Sequence, residues 1–117
     1  MALHTSLPIY KVAYDLLDVA TDVMKNMPRD FKQSLGGKIR EHCVDIITLI
    51  FRANVSANKV PHLTQLLELL QVVELLMRLS KDKRFISVKQ YAKAVELTTQ
   101  VGRQAGGWRK SATSPVA

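Results

Sequence analysis

Apolar positions recur along this chain at intervals of three and four over most of its length, the period of an α-helix with one buried side. Ile9, Val12, Ala13, Leu16, Ala20, Val23, Met24 and Met27 form one such face. They predict a first helix starting near Thr5 or Ser6 and stopping at Asn26–Met27, because a residue before proline resists helical geometry. Pro8 is tolerated in an opening turn, where its missing N–H is not needed. Phe31, Leu35, Ile39, Cys43, Ile46 and Ile50 predict the inner face of a second helix that starts at Pro28. Val44, Ile47 and Phe51 add an apolar strip beside that face. Gly36 and Gly37 interrupt the helix at up to about 1 kcal/mol each relative to Ala, so they should mark a kink or a close approach of another backbone.

The third segment, from about Pro61 to Ser80, carries more apolar surface than a bundle helix needs. Its polar residues Thr64, Glu68, Gln71 and Arg78 wind onto one narrow stripe. Leu67 and Leu79 flank the stripe and Leu75 sits inside it. A helix packed once against its own core requires an apolar arc only somewhat wider than about 100°. The surplus is expected to face another subunit. The fourth helix opens at Ser87-Val-Lys-Gln90, a capping box with Ile86 and Tyr91 placed as a hydrophobic staple. It directs Tyr91, Val95, Thr98, Val101, Ala105 and Trp108 inward and ends near Lys110. Short links join antiparallel neighbours, which predicts an all-α, up-down-up-down four-helix bundle over residues 1–110 with a flexible tail over 111–117.

Composition agrees with one helical domain. The 117 residues are 47% hydrophobic, poor in aromatics, and hold nine Gly and Pro together. A single cysteine, Cys43, excludes an internal disulfide and fits a reducing compartment. No secretory leader is legible at the start, and Glu68, Glu74 and Arg78 argue against a membrane span in the third helix. A cytoplasmic location is the expectation.

Charge changes the picture. The net charge is +7 with a pI near 9.8. Residues 1–27 sum to −1, so the whole excess lies beyond them. Such a surplus suits a polyanion held through its backbone. Lys89, Lys93, Arg103 and Lys110 wind onto one face of the fourth helix, diluted only by Glu96, with Lys83 and Arg84 just before it. These six are the candidate nucleic-acid contacts. No aromatic residue interleaves with them on that face, so base stacking there is not indicated. Arg40 and Arg109 border the apolar strips and join Leu67, Leu75 and Leu79 as candidate interface residues.

Catalytic chemistry is not legible. His4, His42 and His62 are dispersed, no Glu-x-x-His pair or phosphate-binding glycine loop occurs, and His42 and Cys43 point about 100° apart on a helix. Cys43 belongs to the inner face, where a thiol is inert packing. The expectation is a non-enzyme with no metal and no cofactor.

Two segments carry a resemblance. Lys89-Gln90-Tyr91, Glu96 and the run Val101-Gly102-Arg103-Gln104-Ala105-Gly106-Gly107-Trp108 resemble the accessory variability determinant proteins of diversity-generating retroelements. Leu35-Gly36-Gly37-Lys38-Ile39-Arg40 is similar to the wider four-helix-bundle family that includes proteins encoded by intervening sequences of 23S ribosomal RNA genes. The resemblance implies a ring-shaped homopentamer that binds RNA or DNA and a reverse transcriptase and has no catalytic residues. It also implies close helix packing at Gly102, Gly106 and Gly107, with Trp108 as an anchor near the bundle end. The alternative it leaves open is a bundle protein of the intervening-sequence group with an undefined or scaffolding role. This chain's acidic first helix departs from strongly basic relatives.

Overall fold

The computed structural model describes residues 3–113, all of them helix, turn or short connection, with no strand among the described residues. A 3-10 turn at His4–Ser6 precedes α1, Pro8–Lys25, which has Pro8 in its first turn. A short helical turn, Arg29–Phe31, runs through a π-helical segment, Lys32–Gly36, into α2, Gly37–Val55. α3 is Val60–Asp82 and α4 is Val88–Thr113. The last helix therefore runs beyond the expected end at Lys110 and takes in residues 111–113 of the tail expected over 111–117, whose remaining residues, 114–117, lie outside the described residues. Each helix packs on the next, and α1 closes against α4, giving a four-helix bundle 53 × 20 × 19 Å in extent.

The core is one continuous column. α1 contributes Ile9, Ala13, Leu16, Ala20 and Val23, and α2 contributes Ile39, Cys43, Ile46, Leu49, Ile50 and Ala53. Leu63, Leu66, Leu70, Val73 and Met77 enter from α3, and Ala94, Leu97, Thr98, Val101 and Ala105 from α4. By length and composition α3 is apolar enough to cross a membrane. Here it packs between α2 and α4 with Glu68, Glu74 and Arg78 on the exposed side.

Two registers differ from expectation. Val95 is exposed, and the buried α4 positions are Ala94 and Leu97. Phe31 is 43% exposed although the periodicity of α2 places it inward. The π-helical segment explains this. It inserts a residue into the turn between Phe31 and Leu35, so positions before it fall out of phase with those after it.

Local chemistry sets the helix ends. Lys59 extends its ammonium back to the end of α2 and donates to the carbonyls of Ala53 (2.9 Å), Asn54 (3.3 Å) and Ser56 (2.9 Å). These acceptors are orphan carbonyls that a helix end leaves unpaired. The capping box of α4 is reciprocal. The Ser87 amide donates to Gln90 Oε1 at 2.9 Å and the Gln90 amide to Ser87 Oγ at 3.0 Å. α3 ends in a Schellman turn: the Phe85 amide donates to the Ser80 carbonyl and the Arg84 amide to the Lys81 carbonyl, both at 2.9 Å. Arg84 occupies the left-handed position of that turn at φ 61°, where glycine is the usual residue.

Candidate nucleic-acid interface

Antiparallel folding places the α1–α2 and α3–α4 connections at the same end of the bundle, where the Phe31 and Phe85 rings lie 4.6 Å apart between centroids. The opposite end holds the His4–Phe51 ring contact, at 5.0 Å, and Trp108, which lies beside Leu7, Pro8 and Ile9. Charge divides along the same axis. Residues 19–40 and 75–93, which form the first end, hold eleven Lys and Arg against three Asp. Residues 3–14, 48–67 and 100–113, which form the second, hold six Lys and Arg and no acid. The waist between them, residues 15–18, 41–47, 68–74 and 94–99, holds seven Asp and Glu and no Lys or Arg.

This arrangement divides the face expected on α4. Lys89 and Lys93 join Lys83 and Arg84 at the connection end, whereas Arg103 and Lys110 belong to the other end. A rise of 1.5 Å per residue separates Lys89 from Arg103 by about 21 Å. Glu96 lies between them and pairs with Lys93 at 3.8 Å. Asp22 shares a groove with Lys89 and Lys93, so α1 adds its acids beside this face. Further ion pairs among the described residues are Lys25–Asp22, Arg78–Asp82 and Lys81–Asp82, all near the surface and of little weight for stability. Sequence reasoning missed Arg29 and Lys32, which the π-helical turn brings to the Lys83–Arg84 end. Their signal was available in the topology: first and third connections of an up-down bundle share an end. Among the described residues, Arg29, Lys32, Lys83, Arg84 and Lys89 have no ion-pair partner.

The candidate interface residues divide as well. Leu75 is 64% exposed, and Leu79 and Val72 are also exposed, which makes an apolar strip on the outer side of α3. Leu67 instead is half-buried and packs against the core. A second apolar area lies over α1 and α2, where Tyr10, Tyr14, Val44, Ile47 and Phe51 line one groove with His4. Arg40 lies at the rim of the neighbouring α1–α2 groove, which is about 750 Å³ in volume and is also lined by Gly37. Arg109 is half-buried and donates to Thr64 Oγ1 of the neighbouring α3 at 3.5 Å, in a groove with Glu68, Glu74 and Gly102.

The glycines are not equivalent. A Cβ at Gly36 would lie 2.8 Å from Met24 Cγ and 3.0 Å from Met27 Sδ, so this glycine permits close approach of α1. Gly37 has nothing nearer than 3.8 Å. A Cβ on Gly102 would meet Leu70 Cδ2 at 3.3 Å, while Gly106 and Gly107 meet nothing within 4 Å. Close packing inside one protomer therefore accounts for Gly102 and leaves Gly106 and Gly107 open.

No three of His, Cys, Asp and Glu gather closely enough to hold a metal ion among the described residues. Cys43 is 1% exposed, and burial pushes its thiol up to about 12. A thiol so resistant to ionisation is a poor nucleophile. His42 Nδ1 is buried without a hydrogen-bond partner, and His62 Nε2 lies 3.1 Å from Ser56 Oγ.

Comparison with curated proteins and with solved structures returns no match. The bAvd-like family model, in contrast, matches residues 7–112, which is all four helices and nearly the whole bundle. The chain belongs to the bAvd-like family.

Proposed function

We propose that this protein is a non-enzymatic, homo-oligomeric adaptor that binds nucleic acid through the backbone and associates with a retroelement reverse transcriptase. The observation that carries the reading is the segregation of charge: seventeen cations at the two ends and an acidic waist between them. Phosphates attract each end, while a strand laid lengthwise along the bundle would meet the acids of the waist. Family membership supports the same class of partner and the absence of catalytic residues. Assembly is supported by the exposed strip on α3 and the apolar area over α1 and α2. A leucine buried by a partner contributes about 1.5–3 kcal/mol. The two patches differ, so one copy's α3 meets the next copy's α1–α2 surface in a head-to-tail contact, which closes into a ring when the rotation allows. A ring of five, as the family resemblance implies, repeats each basic end around its rim, and weak phosphate contacts then gain from multivalency.

The experiment is RNA and DNA binding across a salt series with Lys89, Lys93 and Arg103 reversed to Glu. The reading expects weaker binding and a shallower dependence of log K on log salt. Wild-type protein that binds neither polymer at low salt refutes it.

A further inference from the structure

The connection end carries more than charge. Phe31 lies between Arg29 and Lys32 in sequence, and Phe85 directly follows Lys83 and Arg84. The Phe85 ring packs against the core, and the Phe31 ring lies against it with centroids 4.6 Å apart and planes tilted by 35°. Phe31 thus stays 43% exposed while one side of it is supported. An exposed ring held in place by a half-buried one, with cations on both flanks, has the components of a platform for an unpaired base. The exposed acids inside the group are Asp30 and Asp82, and Asp82 pairs with Arg78 and Lys81.

Arg84 supplies a second, independent observation. Its backbone sits in the left-handed region, which glycine adopts without penalty and arginine does not. The Schellman hydrogen bonds of the turn offset that cost, and they hold the side chain exposed, with no partner among the described residues.

We infer that the connection end is a binding site for single-stranded nucleic acid, in which one unpaired base stacks on Phe31 and the flanking phosphates contact Arg29, Lys32, Lys83 and Arg84. The inference rests on the nucleic-acid reading above and adds to it the place and the strandedness. Bases inside a duplex already stack on one another, so only a single strand can use the ring. A single tilted ring set between cations suits a base.

The test is fluorescence anisotropy with a labelled 12-nucleotide RNA, alone and as a duplex, on the full chain. Phe31→Leu keeps apolar cover over Phe85 and removes the stacking face. It should weaken single-strand binding by about 5- to 100-fold and leave duplex binding within about twofold. Arg84→Gly should weaken both forms and lower the single-strand salt slope by about 0.7. Both variants are checked for retained helix content. Wild-type binding that Phe31→Leu leaves unchanged, or lowers equally for both forms, overturns this site and leaves the broader reading standing. Wild-type protein that binds phosphatidylserine vesicles and no oligonucleotide overturns both.

Discussion

Replacing Gly36 and Gly37 separately by alanine should move stability in opposite directions. Both residues have right-handed helical backbones, with φ/ψ of −62°/−43° at Gly36 and −62°/−38° at Gly37, so neither needs glycine for its conformation. Alanine is intrinsically favoured at each by about 0.5–1 kcal/mol. At Gly37 the new methyl meets only Gln33 Oε1 at 3.8 Å and the Lys32 carbonyl at 3.9 Å, ordinary contact distances. Gly37→Ala should therefore gain the whole propensity term. At Gly36 the methyl lies 2.8 Å from Met24 Cγ and 3.2 Å from Met24 Cβ. The Cβ is fixed to the α1 backbone, so the end of α1 must move away. Overpacking of this kind costs about 1–3 kcal/mol and outweighs the gain. The two variants should differ by roughly 1–3 kcal/mol, with wild type between them. For a domain of this size that is about 3–12 °C in Tm. Thermal unfolding followed by circular dichroism at one chain concentration is the assay, because assembly makes Tm depend on concentration. A Gly36→Ala protein as stable as wild type would refute the close approach of α1 to the π-helical turn.

Ser87→Ala removes one half of the reciprocal cap on α4 and should cost about 1 kcal/mol in urea unfolding; a change within error would show that Gln90 holds the helix start alone. Arg84→Gly relieves a left-handed arginine and should raise stability by about 1 kcal/mol, whereas a loss would mean the side chain stabilises the protomer. Cys43 gives a pH signature. Its thiol ionises near 9.0 when unfolded and about 12 when folded. Its stabilising contribution is complete below pH 9 and is lost as pH rises toward 12, because only the unfolded chain ionises in that window. Urea unfolding at pH 8 and pH 10.5 should show a larger alkaline loss for wild type than for Cys43→Ala, and equal losses would contradict the assignment.

The four helices and the capping box were legible because their signals are local: a period, a proline, a Ser-x-x-Gln spacing. The glycine pair marked the right place, and its cause became visible only with the π-helical turn and Met24 beside it. That same turn hid Phe31, since a period projected backward across an inserted residue points to the wrong side. Val95 was misplaced because Ala94 and Leu97 define a face that includes a small residue, which periodicity weighs lightly. The cations of α4 looked like one surface because a helical projection ignores height along the axis. Whether they act together depends on which connections share an end, a property of the fold rather than of one segment. The strip at Leu75 and Leu79 was readable, because an excess of leucine has few places to go.

The central claim is that apolar surface left open on α3 is covered by another copy of the chain. Light scattering on purified protein in dilute solution measures this directly. The account predicts a discrete mass several times 13.1 kDa, about 65 kDa for five copies, that falls toward one copy when Leu75 and Leu79 are both replaced by Glu. A well-folded single chain at high concentration would contradict it.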